Sequence, residues 1–163
     1  MDLHFSKEEL FEGGILIMLV GPPGAGKSVL AKKIKDDYMM NFEIVCPDDI
    51  REEICGNPSD QTHNNEVFSK VYSRLQNLLD NGYNVIYDAT NCRSSYRKKI
   101  MNVVDGHYKK AICICLLTTL NDCFENNKSR DRFVPEDIIE RMYINFHSHG
   151  PNLFEGYDAI IKA

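Results

Sequence analysis

Lys27 and Ser28 close the octapeptide GPPGAGKS, residues 21–28, directly after the apolar run ILIMLV. A lysine ammonium and a serine hydroxyl at the end of a glycine-rich turn are the groups a polyphosphate needs. Glycines let the backbone curl until its N–H groups point inward at an anion, and the N-terminus of a following helix adds partial positive charge. The lysine brings a flexible cation to the outer phosphates, and the serine hydroxyl can hold Mg2+. The stretch fits G-x-x-x-x-G-K-[ST] in its confirming context, with a strand-like run before it and the basic helical pattern VLAKKI after it. A glycine-rich turn matching by chance is the alternative that this context opposes. Gly21, Pro23, Gly24, Ala25, Gly26, Lys27, Ser28 and Val29 therefore form a candidate cradle for a nucleoside triphosphate. The cradle predicts binding, not what is done with the nucleotide.

Three further clusters bear on the chemistry. In CPDDIREEI (46–54), Pro47 can set a helix start, Asp48 can cap it, and Arg51 lies three residues on along the same face. A cap and a surface ion pair explain that pattern without chemistry. The chemical reading has Asp48 accept the proton of an acceptor hydroxyl while Arg51 neutralises phosphate charge. In VIYDATN (85–91), Asp88 ends an apolar strand where it can reach Mg2+ through water or orient Ser28, or else only cap a turn. Thr90 and Asn91 follow where an acceptor would lie. In ENNKSRDRFVPEDIIERM (125–142), polar and basic residues lead to Val134-Pro135 and then Glu136-Asp137, the pattern of a helix end, a connection and a restart. Near the phosphates, a segment at about 125–135 makes a lid whose arginine closes over the γ-phosphate, with Arg130 preferred to Arg132. A charged surface loop is the other reading.

These groups need a scaffold. Apolar runs at 15–20, 42–46, 84–89, 111–117 and 157–161 predict five short strands, with helical patterns at about 26–40, 48–55, 63–81, 93–105, 120–129 and 135–148. Residues 63–81 are clearest, because Val67, Val71, Leu75, Leu78 and Leu79 share one face and Asn81-Gly82 ends the pattern. Regular alternation of strand and helix predicts a parallel sheet with helices on both faces, which brings the residues after each strand to one edge. Ser6 and Glu9 have capping-box spacing, so a short helix is expected in an N-terminal extension, 1–13, ahead of one domain over 14–163.

Composition narrows the function classes. The 163 residues, 43% hydrophobic, supply the core of one α/β domain. The apolar runs are too short to span a bilayer and the first residues lack a signal-peptide pattern, so a cytoplasmic protein without a membrane partner is expected. The six cysteines show no CxxC or Cys/His ligand spacing and read as small buried or half-buried thiols. A net charge of −5 excludes coating nucleic acid by charge alone. Between Asn91 and Lys110, however, Arg93, Arg97, Lys98, Lys99, Lys109 and Lys110 face only Asp105. That is either a local basic surface for a substrate, with Arg97 among the contacts, or a solvated helix face.

Taken in order, GPPGAGKS, DDIR, DATN and NKSRDRFVP, with EGYDAII as a last strand, resemble the P-loop phosphotransferases of the polynucleotide 5′-kinase group. The resemblance covers about residues 14 to 162. It implies a doubly wound five-stranded sheet in the order 2-3-1-4-5, ATP and Mg2+ as cofactors, and γ-phosphate transfer to the 5′-hydroxyl of an RNA or DNA end. Lys27 and Ser28 would hold the β/γ-phosphates and Mg2+, Asp48 would be the general base, Arg51 would clamp the acceptor's 3′ phosphate, and Arg130 would contact the donor. DATN places its aspartate one residue earlier than in the phage-type enzymes, which assigns Asp88 to the metal or the scaffold. Zeta-toxin-like sugar kinases and antibiotic phosphotransferases use a similar loop and aspartate, so a small hydroxylated acceptor is an alternative. A non-catalytic nucleotide-dependent switch is a second. The sequence has no N-K-x-D base-reading motif of GTPases, no long lid insertion of adenylate kinases and no LSGGQ-type signature of transport ATPases.

Overall fold

Residues Ile15–Val20 form strand β1, and all six are buried. A computed structural model gives the architecture and describes residues 3–38, 41–129 and 132–163. Ahead of β1 lies helix α1 (Lys7–Glu12). After it come α2 (Lys27–Tyr38), β2 (Phe42–Val45), α3 (Pro47–Cys55), α4 (Asn64–Asp80), β3 (Asn84–Tyr87) and α5 (Ser94–Val104). The chain continues through β4 (Lys110–Cys115), α6 (Leu120–Lys128), α7 (Glu136–Ser148), a 3-10 turn (Leu153–Glu155) and β5 (Ala159–Lys162).

All strand pairs are parallel and the order is β2-β3-β1-β4-β5, as the resemblance implied. Burial on both faces makes β1 apolar throughout and β4 apolar after Lys110, and the two-residue period divides them between two cores. Leu16, Met18 and Val20 of β1, beside Ala111, Cys113 and Cys115 of β4, pack under α4 and α5. Ile15, Ile17 and Leu19, with Ile112 and Ile114, face α2 and α6 on the other side. Ile139 of α7 belongs to the second core and Phe146 to the first, so α7 passes from one core to the other.

Several boundaries differ from the sequence expectation for physical reasons. Strand β3 stops at Tyr87; Asp88 makes one more bond, N–H to Val45 O at 2.9 Å, before Asn91 turns the chain with φ +49°. Helix α2 ends at Tyr38, and the last two residues of the expected helix, 39 and 40, lie outside the described residues. Pro47 takes the first position of α3 and Cys46 precedes it without a side-chain cap. Asp48 therefore lies inside the first turn and does not cap the helix. The capping box at α1 forms as expected, with Glu9 N–H on Ser6 Oγ at 3.1 Å and Ser6 N–H on Glu9 at 2.8 Å. Segment 3–13 docks on the sheet through Leu3 and Leu10, and the buried Asn84 accepts from Ile15 N–H at 3.1 Å while donating to Leu10 O at 2.9 Å. No helix among the described residues is long and apolar enough to cross a membrane.

Candidate active site

The loop 21–26 leaves the central strand β1 between the ends of β3 and β4, where the strand order reverses and open α/β sheets hold ligands. Gly24 and Gly26 take φ +83° and +93°, the region that favours glycine. At Gly24 a Cβ would stand 2.2 Å from Cys123 O, so α6 presses directly on the back of the loop. Three more bonds brace it: Gly21 N–H to Thr90 O at 3.0 Å, Thr118 Oγ1 to Ala25 O at 2.8 Å and Asn126 Nδ2 to Gly24 O at 2.9 Å. The stem of Lys27 is buried and its ammonium donates to Pro22 O at 2.8 Å, while Ser28 and Val29 at the start of α2 are exposed. A fixed, glycine-lined turn at a helix N-terminus with a lysine folded across it fits a triphosphate.

Asp48 is the centre of the second cluster. Its side chain is 34% exposed, its Oδ1 accepts from Arg51 Nη1 at 2.7 Å, and its Oδ2 pairs with Arg132. One carboxylate thus carries two guanidinium groups. Arg51 is only 4% exposed; it also donates to Pro58 O at 3.3 Å and to Asn64 Oδ1 at 3.2 Å. Its Nε is a buried donor without a partner. Arg130, the arginine preferred for the lid, lies outside the described residues, and Arg132, the other arginine weighed for that role, pairs with Asp48.

Asp88 is buried at the end of β3. Burial first, and then the Asp88 charge, push the Cys46 thiol up to about 12. The Asp49 carboxyl also lies above its usual range, from burial and then from Asp88 and Asp48. Asp48, Asp49 and Asp88 therefore lie near one another past the ends of β2 and β3, oxygen ligands of the kind a divalent cation takes.

The acceptor-side residues expected from sequence are placed differently. Thr90 is half-buried beside the loop, but the Asn91 amide donates inward to Leu19 O at 2.8 Å. Arg97 is a correction: it is fully buried and does not face a substrate. Its Nε and Nη2 grip Glu155 at 2.8 Å each, Nη1 donates to Asn91 O at 3.0 Å and Nη2 to His149 O at 2.7 Å. The signal was present in the sequence, since Arg97, Ile100, Met101 and Val104 fall on one helical face, and all four are buried. Lys109 and Lys110 pair with Glu12 and Glu9 of α1. Of the expected basic stretch, Arg93, Lys98 and Lys99 stay exposed, Arg93 lying over the Tyr96 ring at 5.7 Å.

A surface concavity of about 630 Å³ lies elsewhere, along α4 and against Tyr83. The profile of a family described as an AAA domain matches residues 16–148, from β1 through α7. The chain belongs to that family. Its members are P-loop kinases, and the five-stranded sheet and braced loop are the P-loop kinase fold. Phosphoryl transfer from a bound nucleotide is the coarse activity of that family. A relative 30% identical over 141 residues is named L-seryl-tRNA(Sec) kinase of Methanococcus maripaludis; the match takes 83% of this chain and 54% of the relative, so the chain spans about half of it. Among solved structures, a chain of the Pnkp1/Rnl/Hen1 RNA repair complex superposes with TM-score 0.75 at 22% identity, over 88% of this chain and 47% of that one. Kti12 of Chaetomium thermophilum in complex with ADP-AlF3 gives 0.69 at 12% identity, over 91% and 88% of the two chains. Shikimate kinase from Acinetobacter baumannii gives 0.58 at 17%, over 94% and 86%. At these identities the superpositions establish the fold alone.

Proposed function

We propose that this P-loop kinase transfers the γ-phosphate of ATP to the 5′-hydroxyl of a nucleic-acid end. The observation that carries the reading is Asp48, a partly exposed carboxylate at the reactive edge, fixed through Oδ1 by a buried arginine and covered at Oδ2 by Arg132. Bound ATP with Mg2+ supplies the phosphoryl group and offsets its charge. Lys27 leaves Pro22 O for the outer phosphates and the loop amides fix the donor, while Ser28 and Asp88 would hold Mg2+. Arg132 exchanges Asp48 for donor phosphate and so uncovers Oδ2 for the acceptor. The acceptor oxygen then bonds to γ-phosphorus, its proton passes to Asp48, and the bond to the leaving ADP breaks. Arg130 would share the donor contact with Arg132.

Arg51 has a changed role in this reading. At 4% exposure it presents almost no surface to an acceptor phosphate, so it positions Asp48 and does not clamp the substrate. Nucleic acid as the acceptor class is supported by the likeness to a chain of an RNA repair complex and to a tRNA kinase, together with the exposed Arg93 and Tyr96 at the start of α5 and Lys98 and Lys99 further along it. The tRNA kinase favours a second reading, in which the hydroxyl belongs to a seryl group carried on RNA. Radiolabelled ATP with 5′-hydroxyl RNA, 5′-hydroxyl DNA, a 5′-phosphorylated control, seryl-tRNA and a panel of small polyols and sugars separates them. Label on the 5′-hydroxyl strands and not on the phosphorylated control is the expected result. Label only on seryl-tRNA or only on small compounds overturns the acceptor assignment.

A further inference from the structure

The loop 56–63 between α3 and α4 brings together three side chains that the phosphoryl-transfer reading does not use. Cys55 is the last residue of α3, and Asp60 and His63 follow in the loop; one ligand atom from each lies within 4.8 Å of the other two. The sequence reading found no Cys/His ligand spacing, because the pattern here is C-x4-D-x2-H with a carboxylate between the two. The carboxylate is already oriented. Its Oδ1 accepts from Thr62 N–H at 2.8 Å and from Thr62 Oγ1 at 2.6 Å, and Oδ2 lies 4.0 Å from His63 Nδ1; with that hydroxyl proton on Asp60, Nδ1 donates to Thr62 Oγ1 at 2.8 Å and Nε2 is the imidazole atom left for a ligand. Thr62 thus serves as the outer partner that holds a ligating carboxylate in place.

We propose that Cys55, Asp60 and His63 form a zinc-binding site. Thiolate, imidazole and carboxylate together suit Zn2+ better than the hard cations that accompany nucleotides. Tetrahedral bonds of about 2.0–2.3 Å to zinc hold neighbouring ligand atoms somewhat under 4 Å apart. From separations of up to 4.8 Å the three groups need to close by about an ångström around the ion. A water completes the fourth position. Binding releases the Cys55 thiol proton to solvent and forms the sulfur–zinc bond.

The site has a structural consequence for the reactive edge. Arg51 sits one helical turn before Cys55 and donates to Pro58 O at 3.3 Å and Asn64 Oδ1 at 3.2 Å, acceptors that flank the cluster. Zinc would staple the end of α3 to the start of α4 around the arginine that fixes Asp48.

The test is a Co2+ titration of the full chain without nucleotide, followed by displacement with Zn2+. One equivalent of Co2+ should give a thiolate charge-transfer band and tetrahedral visible bands, both removed by Zn2+. His63→Ala, a change on an exposed side chain, should weaken binding by at least about ten-fold. Cys55→Ser should abolish the charge-transfer band, and Cys46→Ser should leave it intact. Zn2+ should also raise the Tm of the parent chain and not that of His63→Ala. Absence of the charge-transfer band in the parent, or a band unchanged in both His63→Ala and Cys55→Ser, overturns the site.

Discussion

Two buried arginines, each paired with a carboxylate, behave in opposite ways. Arg97 is fully buried, its partner Glu155 has a side chain 2% exposed, and four hydrogen bonds to Glu155, Asn91 O and His149 O enclose it. Arg51 is 4% exposed, but its Nε has no partner and its carboxylate, Asp48, is one-third exposed and shared with Arg132. Among the described residues Arg51 Nε is the buried side-chain donor left unmatched. Folded proteins match nearly all such groups, and the exceptions gather where function requires them. The first arginine is a strut between α5 and the segment after α7; the second holds a reactive group that must exchange partners.

The largest effect should come from breaking the strut. Arg97→Ala leaves Glu155 buried and unpaired and should destabilise the fold by about 3–5 kcal/mol in a urea melt, whereas Arg97→Met with Glu155→Leu should recover most of it. A loss under about 1 kcal/mol would erase the distinction between the two pairs. Asp48→Asn comes next. It should lower phosphoryl transfer by about 10²- to 10⁴-fold, the usual worth of a general base, with stability changed by no more than about 1 kcal/mol. Arg51→Lys keeps the charge and loses the planar fork, so kcat should fall about ten-fold to the same extent for acceptors with and without a 3′ phosphate. A loss confined to the KM of phosphate-bearing acceptors would show that Arg51 touches the substrate after all.

The smallest effect concerns Glu53, which ties α3 to α4 on the far side of Arg51. Its carboxylate takes both Arg74 donors at 2.9 Å and Lys70 at 2.9 Å. The Arg74 bonds, then Lys70, hold it down at about 2. A lowered carboxyl adds stability above its ordinary value of 4.5 and loses it as pH falls toward about 2. Because the side chain is 42% exposed, Glu53→Gln should cost well under about 1 kcal/mol at neutral pH, and the difference should vanish across that acid window in pH-dependent melts.

The same two arginines mark how far the sequence could be read. The apolar runs and GPPGAGKS specify the sheet and the cradle, because strand burial, glycine conformation and helix position are local properties. The strand order followed from resemblance to a family. Arg97 was misread because its neighbours in sequence are basic, while its partner Glu155 is 58 residues away and only the fold brings them together. Its place on the apolar stripe of α5 was the local clue. Asp48 looked like a helix cap because Pro47 was taken as the residue before the helix; Pro47 instead starts the helix and moves Asp48 into the first turn. The Arg132 contact with Asp48 joins elements more than eighty residues apart, and no spacing rule could show it.

The central claim is that Asp48 is the catalytic carboxylate of a kinase for nucleic-acid 5′-hydroxyl ends. The most direct measurement is single-turnover transfer from radiolabelled ATP to a 5′-hydroxyl oligonucleotide by the parent chain and by Asp48→Asn, with ATP affinity measured for both. The account predicts matched ATP affinity, labelled 5′ ends with the parent and a loss of about 10²-fold or more with Asp48→Asn. Equal transfer rates for the two proteins, or no label on the oligonucleotide from a parent chain that binds ATP, would contradict it.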